Sequence, residues 1–221
     1  MNSFFKKNKN FIVPFVAILI TIFIGIVYLQ TPEKSLKIFT PRDVNTELVD
    51  STVQHIGYNH TIDNFAFTNQ NGKIITQDNY EGKIYVADFF FTTCPTICPI
   101  MTDNMVWLQE KIKNFPEVML LSHSVTPDID SVPVLKKYAI EKGVIDSKWN
   151  LVTGDKKEIY YIARKSYLAV KTGKPEDLYD MVHTENFILV DQKRRIRGFY
   201  DGTNLDDVKK LYEDILYLKN K

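Results

Sequence analysis

Cys94 and Cys98 lie four positions apart in the segment FFFTTCPTICPIM, and they are the only cysteines of this 221-residue chain. A proline follows each of them. Proline biases the preceding residue toward extended backbone angles and fits the first position of a helical turn. We therefore expect Cys98 to cap a helix, where free amide groups and the positive end of the helix dipole favour thiolate over thiol for one or both sulfurs.

The two thiols are suited to thiol–disulfide exchange or to metal binding. Two cysteines are too few for a disulfide-built scaffold, and a bridge that closes so short a loop gains little chain entropy. Redox motifs of the thioredoxin type have two residues between the cysteines, whereas this motif has three. A metal site needs at least one further ligand, because two thiolates alone seldom hold a metal selectively in water. The residues alone leave both chemistries open.

The chain has four histidines that can be considered for this ligand: His55, His60, His123 and His183. The first two flank a predicted hairpin strand and are expected at the surface. His123, at the end of a strand, is expected to be a hydrogen-bonded structural residue. His183 lies in a loop just before the apolar strand NFILVD, where rigid folds commonly present ligands, although the sequence pattern leaves open whether it meets the cysteines. Two thiolates and an imidazole form a soft set that suits Cu(I) and can hold Cu(II), whereas structural zinc normally has four protein ligands.

Met101 and Met105 follow the cysteines one helical turn apart, and thioether sulfur also suits Cu(I). We expect them in the core instead, because methionine on the inner face of a helix commonly fills gaps. Phe89, Phe90 and Phe91 are expected there as well, where an apolar shell limits the access of water to the site.

The elements that must position these residues alternate between strands and helices. The apolar run KIYVADFFF predicts a buried central strand just before Cys94, and residues 100–114 keep a helical period after it. Upstream of both, the pattern around Asn71–Gly72 predicts a hairpin.

Downstream, the pattern predicts strands in EVMLLSHSV and KWNLVT and a helix between them that ends near Gly143. It then predicts a helix over KKEIYYIARKSYLAV that stops before Gly173, a strand pair that turns near Gln192, and a terminal helix capped by Asn204. This order predicts an α/β fold with a central sheet and helices on both faces.

The N-terminal part predicts a membrane anchor. No charged residue lies between Lys9 and Glu33, and the run Phe11–Leu29 is long enough to span the hydrocarbon core of a bilayer. Three lysines precede it, so the positive-inside rule keeps the short tail in the cytoplasm and the rest outside. A bacterial inner membrane and a mitochondrial one both fit this topology, and the lack of a longer Arg-rich, acid-poor leader favours the bacterial one, with the domain facing the periplasm. We expect an uncleaved anchor. The predicted divisions are a tail at 1–10, an anchor at 11–30, a spacer at 31–50 and a globular domain at 51–221.

The composition limits the classes of function. With 44% hydrophobic and 25% charged residues, the chain is an ordinary globular protein rather than a disordered or multi-span one. The net charge is only +1, and three lysines of the N-terminal tail account for more than that excess. A near-neutral domain without basic clusters offers little to a nucleic-acid backbone, so no nucleic-acid partner is expected.

Several segments together resemble the Sco/SenC family of copper-binding, thioredoxin-like proteins, which help to build the copper centres of cytochrome c oxidase. They are the N-terminal anchor, FFFTTCPTICPIM, LLSHSVTPDIDSVPVLKKYA, KWNLVTGDKKEI and the histidine before NFILVD, and the resemblance covers residues 55–217. It implies a thioredoxin-like core with an N-terminal β-hairpin. It also implies that Cys94, Cys98 and His183 bind one copper ion per chain.

One position departs from the family pattern. Many members have an aspartate before the proline in the segment that reads Ser-Val-Thr-Pro here, so Thr126 stands where a carboxylate is expected. This puts in doubt any role of that carboxylate in ligand positioning or partner docking. Asp128 and Asp130 follow closely, but acidic residues in turns are usually just solvated.

Two functions follow from the motif and the resemblance. The first is a copper metallochaperone, which is not an enzyme and by resemblance delivers copper to the binuclear centre of oxidase subunit II. The second is a thiol–disulfide oxidoreductase in which Cys94 attacks and Cys98 resolves the mixed disulfide. One dithiol can do both, because target cysteines must be reduced before they accept metal. A peroxidase of the peroxiredoxin type is disfavoured, since Phe91 stands where that chemistry expects a threonine.

Overall fold

The computed structural model describes residues 9–30, 35–44, 49–169 and 184–221. The chain divides into two compact units, Met1–Ser35 and Leu36–Lys221. The first contains helix α1 (Lys9–Gln30), whose described apolar side chains are largely exposed. Over the parts of the chain that the structure describes, no helix has both the length and the apolar character of a membrane span. The transmembrane anchor therefore stays a prediction.

The second unit is built on one sheet with the strand order β2-β1-β5-β4-β3-β6-β7. The central strands β3, β4 and β5 run parallel, and every other neighbouring pair is antiparallel. The strands are β1 (Ala66–Asn69), β2 (Ile74–Thr76), β3 (Ile84–Phe90), β4 (Val118–Ser124), β5 (Trp149–Thr153), β6 (Asn186–Val190) and β7 (Ile196–Asp201).

Helical segments cover both faces of this sheet, as predicted. On one face, Tyr138 packs on Phe90 of β3 and hydrogen-bonds Thr102 of the neighbouring helix. On the other, Tyr167 packs edge-on against Phe89. The helices are α2 (Ile97–Ile112), α3 (Val132–Lys142), α4 (Lys156–Tyr161) and α5 (Leu205–Lys219), and short 3-10 turns lie at Pro41–Asp43 and Gln77–Tyr80.

Strand β3 is central, and every one of its residues is buried. It pairs in parallel with β4 on one side and antiparallel with β6 on the other. A strand covered on both faces needs a continuous apolar run rather than an alternating one, which is the pattern of KIYVADFFF. The predicted buried central strand is confirmed.

The turn predicted at Gly72, the helix end near Gly143 and the cap at Asn204 also lie where the sequence placed them. Gly72 turns the β1–β2 hairpin with a φ of +72°, and Gly143 ends α3 with a φ of +71°. Both angles lie in the left-handed region that glycine adopts without a steric penalty. Asn204 caps α5 by accepting a hydrogen bond from the Asp206 amide, and β6 and β7 form the last hairpin.

The helix predicted over KKEIYYIARKSYLAV is wrong in its extent. Helix α4 ends at Tyr161 and continues as one π-helical turn, Ile162–Ser166. Long-range contacts to Ser166 hold this turn, because its carbonyl lies 2.7 Å from His60 Nε2 and its hydroxyl accepts from the Asp63 amide. Residues 170–183, which include Gly173, lie outside the described part of the chain.

His123 of β4 lies fully buried in the aromatic core on one face of the sheet. Its ring stacks on Phe89 with 4.9 Å between centroids, and it meets three further rings edge-on: Phe65, Phe67 and Tyr167. Nδ1 lies 3.4 Å from a backbone carbonyl of β3, and Nε2 has no partner among the described residues. Burial lowers the pKa of His123 to about 3. The residue is structural as predicted, but ring packing rather than a strong hydrogen bond holds it.

Replacing this imidazole should remove an acid-sensitive element of the fold. The imidazole titrates near pH 6.5 when unfolded and near pH 3 when folded, so native stability falls as the pH drops from 6.5 toward 3. We expect His123→Phe to gain about 2 to 3 kcal/mol of unfolding free energy relative to wild type between pH 7.5 and pH 4.5. Urea unfolding at a series of pH values measures this, and a difference that does not change with pH would contradict it.

Candidate functional site

The two cysteines lie where the central strand meets the first helix of the compact unit. After β3 ends at Phe90, the Cys94 amide donates to the Phe91 carbonyl at 3.3 Å and closes a turn, and α2 begins at Ile97. The cap of α2 is Thr96 and Cys98 is its second helical residue, so the expectation that Cys98 is the cap was wrong. The amide groups of the first helical turn have no intrahelical acceptor, so Pro99 is tolerated as the third residue of α2 rather than the first.

Both sulfurs are free thiols held close together at the start of α2. Cys94 is 7% exposed and Cys98 is 3% exposed. The backbone amide of Cys98 donates to Cys94 Sγ at 3.5 Å, and Thr96 Oγ1 lies 3.7 Å from the same sulfur. The free amides of the helix start therefore point at Cys94.

This geometry shifts the pKa values of the two thiols in opposite directions. Burial alone would raise the pKa of Cys94, but hydrogen bonds from the backbone and side chains of Cys98 and Thr96 outweigh it and lower that pKa to about 7. Burial raises the pKa of Cys98 to about 12, and the neighbouring Cys94 and Asp88 add to this increase. The predicted preference for thiolate therefore holds for Cys94 alone.

Asp88, which the sequence pattern did not single out, is a buried acid on the face of β3 that α2 covers. Its Oδ1 accepts a hydrogen bond from Ser122 Oγ, which in turn accepts from Trp149 Nε1 at 2.8 Å. Burial raises the pKa of Asp88 to about 7. The available signal was a lone acid in the otherwise apolar run KIYVADFFF, because a buried strand seldom carries an ionisable residue without a function.

The second acid that matters here is Asp130, which we expected to be solvated. It is fully buried and accepts hydrogen bonds from Thr92, Ser124 and Thr126. Asp128, by contrast, is exposed. Thr126, which replaces the carboxylate expected from the family pattern, donates its hydroxyl to Asp130 at 3.0 Å.

The structure separates the remaining candidate ligands. His183 lies outside the described residues, His55 is exposed and His123 is enclosed in the aromatic core. Met101 and Met105 are buried in the core, as predicted. Within the described ranges, no group of three or more histidine, cysteine, aspartate or glutamate side chains is placed to hold a metal ion.

Comparison with known proteins agrees with this strand–thiol–helix arrangement. Residues 53–219 match the SCO1/SenC family model. The chain belongs to the SCO1/SenC family. The SCO1 protein homolog of Bacillus subtilis (strain 168) is 36% identical over 155 residues, which cover 68% of this chain and 80% of that protein.

Solved structures of Sco proteins share the fold of this SCO1/SenC chain. BsSco, described as a Sco-family cytochrome c oxidase assembly protein with a disulfide switch, is 33% identical with a TM-score of 0.64, and the match covers 73% of this chain and 95% of BsSco. Arabidopsis thaliana ScoI with copper bound is 27% identical with a TM-score of 0.57, covering 72% and 97%. The predicted family and its thioredoxin-like α/β fold are confirmed.

Removing the buried charge of Asp88 should stabilise the domain at alkaline pH. The carboxyl titrates near pH 3.8 when unfolded and near pH 7 when folded, so native stability falls as the pH rises through that window. We expect Asp88→Asn, which keeps an acceptor for Ser122, to gain on the order of 2 to 4 kcal/mol of unfolding free energy relative to wild type between pH 4 and pH 8. Urea unfolding at both pH values measures this, and an equal difference at both would contradict it.

Proposed function

We propose that this chain is a membrane-anchored copper metallochaperone that delivers copper to the binuclear centre of cytochrome c oxidase subunit II. Cys94, Cys98 and His183 hold one copper ion per chain, as Cu(I) or Cu(II), and pass it on by ligand exchange rather than by bond-making catalysis. The observation that carries this function is the pair of free, buried thiols at the start of α2, one of which loses its proton near neutral pH.

The donor set fits a soft metal ion. Thiolate sulfur is the ligand type that selects Cu(I), and burial of both sulfurs limits competition from water. Cys94 is available as a thiolate near pH 7, whereas Cys98 keeps its proton at that pH and loses it when a metal binds. The related ScoI of Arabidopsis thaliana, which was solved with copper bound, supports the choice of copper.

Sheet topology supports His183 as the third ligand. Strand β6 begins at Asn186 and runs antiparallel to β3, with Ala87 opposite Ile188 and Tyr85 opposite Val190. The start of β6 therefore lies at the carboxyl end of β3, which is the edge that leads into the cysteine turn. His183 precedes β6 by three positions, and the chain enters β6 at the same end of β3 as the cysteine turn.

The sequence of the N-terminal segment supports a membrane anchor. The run Phe11–Leu29 lies within α1 and carries no charged residue, and the described side chains of 15–26 include nine exposed large apolar ones. The anchor then occupies 11–30, with the lysine-bearing tail in the cytoplasm and the copper-binding unit on the periplasmic or extracytoplasmic side of a bacterial inner membrane. On that side the domain meets an oxidase subunit that faces the same compartment.

Thiol–disulfide exchange is a second candidate, and the unequal acidity of the two thiols favours it. The Cys94 thiolate attacks a partner's disulfide and releases one partner thiolate, which leaves a mixed disulfide. Cys98, once deprotonated, attacks Cys94 Sγ and releases the second partner thiolate. The products are an oxidised Cys94–Cys98 pair and a reduced partner. The disulfide switch described for BsSco supports this chemistry.

Dependence on His183 separates the two functions. In an anaerobic titration of the reduced chain with Cu(I) against a competing chelator, we expect His183→Ala to weaken copper binding at least about tenfold, because one of three ligands is lost. His55→Ala, at an exposed histidine, is the matched control and should bind as wild type does. Reduction of a model disulfide should be little affected by His183→Ala and abolished by Cys94→Ser. Equal copper affinities of wild type and His183→Ala would remove the histidine from the site and favour exchange.

A further inference from the structure

We propose that Asp130 is a positioning residue of the dithiol site, which fixes the turn that presents Cys94. This role rests on the proposed copper function, because a fixed Cys94 matters most where two sulfurs and a third ligand must meet one ion. Asp130 acts through Thr92 and touches neither the metal nor a substrate.

Asp130 has the contacts of a residue that joins separate segments. Its carboxylate is 0% exposed and accepts four hydrogen bonds from three residues. Thr92 donates twice, from its amide at 3.2 Å and from its hydroxyl at 2.5 Å, while Ser124 Oγ donates at 2.6 Å and Thr126 Oγ1 at 3.0 Å. Hydrogen bonds to an ionised acceptor are stronger than those between neutral groups.

These bonds begin where the backbone ladder stops. Strands β3 and β4 pair in register down to Phe90 opposite Ser124, and the last backbone bond runs from the Val125 amide to the Phe90 carbonyl at 2.9 Å. Beyond this point, β3 and β4 continue into separate loops. Asp130 links those loops to each other, because its own loop follows β4 and Thr92 belongs to the loop that follows β3.

The hydrogen bonds between Asp130 and Thr92 also fix the position of Cys94 Sγ. Thr92 is the second residue of the turn that the Cys94 amide closes on Phe91, so holding its amide and hydroxyl fixes the orientation of that turn. The same orientation places Cys94 Sγ 3.5 Å from the Cys98 amide. Without Asp130, the half-buried Thr92 amide loses this acceptor and the Thr92 hydroxyl loses its partner.

Thr126 fits this arrangement better than the aspartate expected at its position. Its hydroxyl donates to Asp130, and its carbonyl accepts from the amides of Ile129 and Asp130 at 2.9 and 2.8 Å. A carboxylate at position 126 would place a second negative charge beside the buried Asp130. The position thus supplies a donor to the positioning carboxylate rather than a carboxylate of its own.

The variants that test this role act on the hydrogen bonds without changing either thiol. Thr92→Val removes the hydroxyl but keeps the shape, and Thr92→Ser restores the hydroxyl. Asp130→Asn removes the charge. Asp191→Asn is the matched control, because Asp191 is also a buried carboxylate with several donors, Arg195 and Arg197 among them. It lies in the β6–β7 turn, near the start of β3, whereas the cysteines follow the end of β3.

Three measurements on the full reduced chain give the outcome. They are the affinity for Cu(I) against a competing chelator, the rate at which iodoacetamide alkylates Cys94 in the metal-free chain as located by peptide mapping, and urea unfolding. We expect Thr92→Val and Asp130→Asn to weaken Cu(I) binding about tenfold or more and to slow the alkylation of Cys94 severalfold. Thr92→Ser should return both close to wild type. Asp191→Asn should lose stability and change neither.

Two results would overturn the role of Asp130. One is that Thr92→Val and Asp130→Asn behave like Asp191→Asn, with stability lost but copper affinity and alkylation rate unchanged. The other is that Thr92→Ser fails to restore what Thr92→Val loses. If Asp130→Asn does not fold, the Thr92 pair decides the matter. Wild type that fails to bind Cu(I) refutes the copper function instead, and the alkylation rates still report whether Asp130 positions Cys94.

Discussion

The site depends on one local constraint. Buried strand β3 leads into the start of α2, where the backbone amides have no acceptor within the helix. The amide of Cys98 finds its acceptor in the sulfur of Cys94, which therefore ionises near neutral pH although it is buried. At Cys98 the backbone hydrogen bond from Phe91 does not offset burial, so this thiol keeps its proton. Two identical side chains, four residues apart, thus acquire opposite properties from the backbone around them.

The rest of the domain can be understood as support for that junction. Strand β3 is enclosed on both faces and paired on both edges, so the position where it ends is fixed. Asp88 lies within β3 and is hydrogen-bonded to Ser122 of β4. Asp130 is hydrogen-bonded to Thr92 and so joins the loops that follow β3 and β4. Both are buried acids without an ion-pair partner among the described residues, and burying such groups costs free energy that neutral residues would not.

The sequence predicted the features that depend on neighbouring residues. The apolar run of β3, the turn glycines Gly72 and Gly143 and the cap Asn204 each carry a local signal, and all were placed correctly. Asp130 was misjudged because one of its partners, Thr92, lies 38 positions away in the chain and becomes a neighbour only in the folded sheet. The helix predicted over 156–170 was too long for a related reason, since the distant residues His60 and Asp63 contact the π-helical turn that follows α4.

The pairing of β3 also affects the order in which the domain folds. Its partner β4 follows soon after it in the sequence, but its other partner, β6, is separated from it by two more strand–helix units. A chain that emerges N-terminus first therefore leaves one flank of an aromatic strand unsatisfied until the last hairpin arrives. Exposed flanks of this kind invite pairing with other chains. The domain is thus complete only after the C-terminal hairpin has docked, because that step pairs the second flank of β3.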